Sequence, residues 1–245
     1  MKYFTTFSNW QMDWIPGYEK IMLLLAKAIR GYSSTLFLWF QMHRLYLAIE
    51  RMPKITIAAI NGSCNGGGTE ISACFDFRFM IHDQNFTIGQ PECLLGIIPG
   101  GGGSQRLPRL IGKARALEFM LRGNQLTPEA AKDIGLITDS FEKSEFHTKI
   151  QLFADQMSRR IPVAVEGIKL AVHDGMETSL RHGLSVEMEQ TVRCFADPVT
   201  KRALDEYIEI IKENIEVPKD QRWPVNKVIE ILQSEAFSRK ISIKR

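Results

Sequence analysis

The sequence predicts an α/β region followed by an all-helical one, and three observations carry that prediction. Lys54 to Asn61 (KITIAAIN) is a continuous β-branched and apolar run bounded by turn residues, the pattern of a strand buried on both faces of a parallel sheet. Gly62-Ser63-Cys64-Asn65-Gly66-Gly67-Gly68 follows it, and a helix is expected to open at Thr69. Ile97-Ile98-Pro99 leads through four glycines, Gly100 to Gly103, into another helix, so the strand-glycine-helix order occurs twice. After Ser144 the periodicity is wholly helical, with Phe146, Ile150, Phe153 and Met157 recurring every three or four residues.

The elements follow in order. A short strand is read over 2–6 and a helix over 16–30. From Thr35 to Arg51, Phe37, Phe40, Leu45 and Ile49 mix with polar residues in a largely buried helix, which Pro53 stops. Phe77 to Ile81 and Phe86 to Gly89 read as strands around a tight loop, His82 to Asn85. Ser104 is placed to cap the helix carrying Leu107, Leu110 and Ile111. Thr127-Pro128-Glu129 is a helix start, Gly135 a helix end, and Leu136 to Thr138 a short final strand. Helices then fit Val163 to His173, Leu180 to Phe195 and Val199 to Asn214, and Gln221 to Pro224 precede a last basic helix, Val225 to Lys240. The expected organisation is a core over 1–160 and a helical region with an extra tail over 161–245.

Composition narrows the function. With 31 Lys plus Arg against 28 Asp plus Glu, the net charge of the 245 residues is only +3, too small for a nucleic-acid surface or a polybasic membrane anchor. Cys64, Cys74, Cys93 and Cys194 form no CxxC pair and find no zinc-like histidine spacing, so they read as reduced, mostly buried thiols and no metal is expected. The apolar runs are far shorter than the ~20 residues that span a bilayer. The first residues, with Asp13 and Pro16, lack the unbroken apolar stretch of a signal peptide, and a cytoplasmic location is the expectation.

A glycine turn between a buried strand and a helix has two uses. It permits close packing, and it leaves the first N–H groups of the helix free to bind an anion; Gly66, Gly67 and Gly68 suit either. Glu70 falls in the first turn of that helix, where a carboxylate also complements the helix dipole, and Glu92 follows Gln90-Pro91. These two acids are the candidates for proton transfer. Neither a GxxxxGK[ST] loop nor a GxGxxG fingerprint is present, and no GxSxG elbow pairs with any of the five histidines. Arg106, Arg109, Lys113, Arg115 and Arg122 could attract phosphate or simply form a solvated helical face.

The blocks Ile57 to Gly62, Gly66-Gly67-Gly68-Thr69-Glu70, Cys74 to Arg78, Ile88-Gly89-Gln90-Pro91-Glu92 and Gly96 to Leu107 occur in the order of the enoyl-CoA hydratase/isomerase (crotonase) family, which the chain resembles over roughly 54–214. The resemblance implies a crotonase-like spiral of ββα units, a helical C-terminal region that builds a homotrimer or hexamer, and an acyl-CoA thioester substrate. No cofactor is implied beyond the coenzyme A of the substrate, and no nucleic-acid or membrane partner. It implies an oxyanion hole using the amide of Gly67 as its second donor, with Ser8 as the best match to the first. There the stretch Phe4 to Asn9 departs from the family's F-x-A-G-x-D by Phe7 and Asn9.

The family's hydratases use two glutamates, and both positions are filled, by Glu70 and Glu92. The implied reaction is addition of water to a trans-2-enoyl-CoA. Isomerisation by the same hole is the near alternative, and a catalytically silent assembly protein or truncated product the distant one. Family members carry further strands before the Ser8 motif, so the chain reads as N-terminally shortened.

Overall fold

The computed structural model describes residues 5–8, 32–218 and 221–242, with side chains in the first helix described from Phe40 onward. The helix expected over 16–30 lies outside the described residues. The chain divides into two units, Met1–Leu152 and Phe153–Arg245, with the division inside a helix.

In the first unit, strand β1 (Thr5–Ser8) precedes helix α1 (Tyr32–Glu50), and β2 (Thr56–Ile60) is buried at every position, as its apolar run requires. Strands β1, β2, β4 (Phe77–His82) and β7 (Asp139–Glu142) make one all-parallel sheet in that order. A reciprocal fastening joins the starts of its two inner strands, β2 and β4: the Thr56 amide and hydroxyl donate to Asp76 Oδ2 at 2.7 and 2.9 Å, and the Asp76 amide donates back to Thr56 Oγ1 at 3.0 Å.

The second sheet, β3 (Cys64–Asn65), β5 (Ile88–Gly89) and β6 (Gln125–Leu126), lies after the carboxyl end of β2 and carries the glycine turn. Helix α2 (Gly67–Ser72) leaves that turn, a 3-10 turn (Glu92–Leu95) follows β5, and α3 (Gly103–Ile111) and α4 (Lys113–Arg122) follow the glycine run. Tyr46, Ile49, Met80, Leu107, Phe119 and Leu136 are among the buried core residues that hold these layers together.

Several expectations are corrected. Strands β4 and β5 do not form a hairpin; they belong to different sheets, because β5 pairs with β3 and β6 while the His82–Asn85 loop closes on Asp83, whose side chain accepts from the Asn85 amide at 2.9 Å. Ser104 does not cap α3: the N-cap is Gly102 at φ 103°, with no side-chain cap. The final strand begins at Asp139, three residues later than expected. Leu136 and Ile137 are apolar because they plug the core, and their amides fold back to the Ala131 carbonyl after α5 (Pro128–Asp133). The capping of α5 by Thr127, which accepts from the Ala130 amide at 3.3 Å, matches expectation.

The second unit begins in α6 (Phe146–Met157), which the division cuts, and continues as α7 (Pro162–Met176), α8 (Leu180–Ala196) and α9 (Pro198–Glu216). α7 and α8 approach so closely that a Cβ on Gly183 would stand 3.1 Å from the Gly175 carbonyl oxygen. The last helix is two, α10 (Val225–Gln233) and α11 (Glu235–Ile241), because Ser234 turns out of helical conformation and accepts from the Phe237 amide at 3.1 Å. This tail is fastened to α9, where Arg202 donates to the Ile241 carbonyl at 2.9 Å and Lys240 pairs with Glu206.

Candidate active site

The site grows from the glycine turn. Gly66 sits at φ 57°, ψ −123°, a conformation essentially reserved for glycine, and its amide donates to the Gly89 carbonyl at 3.0 Å. Thr69, fully buried, directs its hydroxyl at the Cys64 carbonyl (2.9 Å) and the Gly89 carbonyl (2.7 Å), tying α2 to both β3 and β5. Gly67 is therefore the first residue of α2, where the N–H has no acceptor within its own helix, and a Cβ there would meet nothing within 4 Å. The helix starts two residues earlier than the sequence predicts, which makes Gly67 part of the helix end. A cleft of about 40 Å³ beside it is lined by Ala58, Ala59, Ile60, Cys64, Gly68 and Phe75, among others.

Glu70 follows on α2 and is 2% exposed. Its Oε1 accepts from the Gly103 amide at 2.7 Å, so the second glycine run, far away in sequence, receives the carboxylate. Burial pushes the Glu70 carboxyl up, while the Gly103 and Gly101 amides, the Arg106 charge and His43 pull it back towards ionisation. Glu92 opens the 3-10 turn on the other side of Gly66, where a Cβ on Gly66 would come within 2.8 Å of its Oε1. Burial raises Glu92 as well, and the negative charge of Glu70 raises it further. The two acids therefore sense one another across the turn: burial raises both, loop amides and cations draw Glu70 back, and the charge of Glu70 raises Glu92 further.

Gln90 is the residue that sequence reasoning missed. It is fully buried, and its Nε2 donates to Glu92 Oε1 at 3.0 Å, which leaves Glu92 Oε2 buried without a hydrogen-bond partner. That donor favours the ionised form of Glu92. Gln90→Leu is expected to raise the Glu92 pKa and carry the basic limb of any Glu92-dependent pH profile to higher pH; a limb that stays put or moves down would contradict the assignment. The signal was in the sequence, as an amide two residues before an acid, but its burial was not.

Ser8 ends β1 in register with Ala59, a residue of the cleft wall, and so lies at the carboxyl edge of the parallel sheet where β2 runs into the glycine turn. The structure thus brings together Glu70, Glu92 and Gly67, and sets Ser8 on the same edge. Arg106 is not part of a solvated basic face, since its side chain is 14% exposed and pairs with Glu50. His82 pairs with Glu129 at 2.9 Å, and Cys93 is exposed, unlike buried Cys64 and Cys74, whose thiols burial pushes up to about 12. Among the described residues no three His, Cys, Asp or Glu side chains are placed to hold a metal ion, and no helix is long and apolar enough to cross a membrane.

A glycine-borne amide beside two interacting acids is the pattern that the sequence blocks suggested, and the model of the Enoyl-CoA hydratase/isomerase family matches residues 25–217. The chain belongs to the enoyl-CoA hydratase/isomerase family. It is 34% identical over 171 residues to the crotonyl-CoA hydratase of Syntrophomonas wolfei, covering 70% of this chain and 65% of that protein. It is 36% identical over 167 residues to the short-chain-enoyl-CoA hydratase of Clostridium acetobutylicum, covering 68% and 63%. The structure of an enoyl-CoA hydratase from Bacillus anthracis matches with a TM-score of 0.69 at 31% identity, covering 73% of this chain and 68% of that one. The fold is accordingly the crotonase fold of the enoyl-CoA hydratase/isomerase family. The chain spans about half to two thirds of the length of four of the curated relatives it matches, and a far smaller share of others.

Proposed function

We propose that this member of the enoyl-CoA hydratase/isomerase family adds water to a short trans-2-enoyl-CoA thioester. The observation that carries the reading is the pair of unlike acids, Glu70 and Glu92, flanking the Gly66–Gly67 turn. With the thioester carbonyl on the Gly67 amide, charge developing on oxygen meets the positive end of α2. Glu70, whose burial is opposed by two loop amides and nearby cations that draw it towards ionisation, takes a proton from water as its oxygen attacks the β-carbon. Glu92, raised by burial and by Glu70, delivers its proton to the α-carbon. One O–H bond of water and the C=C π bond are broken, and a C–O and a C–H bond form. The catalytic pair ends with its protons exchanged, and exchange with solvent resets it. The Ser8 amide is the candidate for the other donor to the carbonyl oxygen.

Support for hydration over isomerisation is the presence of both acids, since moving a double bond needs no second group to hold water. The test is incubation of the purified chain with crotonyl-CoA and, separately, a 3-enoyl-CoA, following the conjugated enoyl absorbance. Loss of absorbance with the first supports hydration, its appearance with the second supports isomerisation, and neither supports a silent relative.

We propose further that the chain works as a homotrimer, single or paired, in the cytoplasm. Support for self-association comes from the second unit, where Ile168, Val172 and Met176 on α7 and Leu184, Met188 and Val192 on α8 recur every four residues and are all more than half exposed. Apolar stripes of this extent usually mark an interface. Leu184→Glu with Met188→Glu is expected to turn a trimer into monomers in light scattering; an unchanged mass would remove the stripe from the interface.

A further inference from the structure

The first glycine run explains itself at the site, but the second, Gly100 to Gly103, does not until its two neighbours are considered together. On one side lies Glu70: a Cβ on Gly101 would be 2.5 Å from its Oε2, and a Cβ on Gly103 would be 3.0 Å from its Oε1. On the other side lies Arg106, whose Nη1 donates to the Gly101 carbonyl at 3.1 Å and would collide with any side chain on Gly102. The same guanidinium grips Glu50 at the end of α1 with both arms, Nε to Oε1 at 2.6 Å and Nη2 to Oε2 at 2.9 Å, and lies 5.8 Å from the Tyr46 ring centroid. The loop is a single backbone layer pressed between a guanidinium and a carboxylate, and only glycine is thin enough to fill it.

We propose that the Arg106–Glu50 pair is a positioning device for Glu70: it pins the glycine loop against α1 and thereby holds the amides that orient the Glu70 carboxylate. The inference rests on the reading of Glu70 as the base. Arg106 also acts through charge. The groups that face Glu70 are His43 and Tyr46 on α1, Arg106 on α3, Cys74 behind its own helix, and Glu92 across the turn. Burial holds both the Tyr46 hydroxyl and the Cys74 thiol at about 12, so they stay neutral in the working range. The charges that draw Glu70 towards ionisation are then Arg106 and His43, while Glu50 grips Arg106 and raises its pKa.

The two partners make opposite predictions, which a merely structural pair would not. With the full chain and crotonyl-CoA, Arg106→Met is expected to lower kcat about 10- to 100-fold with KM little changed, because the base is misplaced rather than the substrate lost. It is also expected to move the acid limb of kcat/KM to higher pH. Glu50→Gln also lowers kcat but moves that limb to lower pH, since a negative charge has gone. Arg106→Lys keeps the charge without the fork, so it lowers kcat and leaves the limb in place.

Carbon-13 carboxyl titration of Glu70 reads the same opposite shifts without turnover. Wild-type turnover with kcat and both limbs unmoved in the variants would overturn the proposal, as would parallel shifts in Arg106→Met and Glu50→Gln. Wild type without turnover, but with opposite Glu70 titration shifts, would overturn the hydratase reading and leave the positioning device standing. Unmoved Glu70 titration in both Arg106→Met and Glu50→Gln overturns the device in either case.

Discussion

Glu92→Gln is expected to lower kcat for hydration by about 10²- to 10⁴-fold with KM little altered, and Glu70→Gln by a similar factor, because each removes one proton-transfer partner while keeping the shape of the side chain. The measurement is loss of enoyl thioester absorbance under saturating substrate. Retained activity in both variants would remove the two acids from the chemistry. Stability should respond in the opposite direction for Glu70. Its folded-state pKa is raised, chiefly by burial, so the folded protein keeps this proton to higher pH than the unfolded chain does. The stability linked to the protonated form is present below the unfolded pKa and is lost as pH rises through the folded one. Glu70→Gln, permanently neutral, should therefore melt higher than wild type at neutral pH and converge with it in acid. A variant that melts lower at neutral pH would mean that the loop amides and Arg106 outweigh the burial of the charge.

Gly66→Ala is expected to damage both fold and activity. The backbone at φ 57°, ψ −123° is strained for any residue with a Cβ, at a cost of about 1–3 kcal/mol. The new methyl would also start 2.8 Å from Glu92 Oε1, inside van der Waals contact, and must push the acid away from the turn. In a domain of this size each kcal/mol lowers Tm by roughly 2–4 °C, so a fall of several degrees is expected together with a loss of kcat. Gly67→Ala is the contrast for stability: its Cβ meets nothing within 4 Å and alanine favours a helix, so its Tm should change little. If both variants melt alike, the turn does not depend on the Gly66 conformation.

The sequence was most legible where one local rule sufficed. The β2 run needs burial on both faces, Thr127-Pro128 needs only its own helix start, and α6 to α9 announce themselves by periodicity. It was least legible where two local signals competed. Leu136 and Ile137 look like strand but fill the core between elements, and Asp139–Glu142 looks like loop but is an edge strand paired to β4. Ser104 has the chemistry of a cap, yet the chain needs the positive φ of Gly102 there to turn around the Arg106 guanidinium.

By itself the sequence determined the materials of the site: a glycine turn after a buried strand, a second glycine run before a helix, two glutamates, and their order along the chain, which is enough to name the family; the strand expected at Ile97-Ile98-Pro99 does not form, and Ile97 and Ile98 are exposed. Only the tertiary structure decided their chemistry. Whether a glutamate is an acid or a base depends on its solvation and on the charges around it, and these come from Gly103, Gln90, Arg106 and Glu50, residues 2 to 33 positions away from the acid they touch or joined to it through a loop. Periodicity reports which residues are hidden, because burial is repeated along an element. It cannot report which hidden polar groups meet, because that is settled once, by the packing of elements that lie apart in the chain.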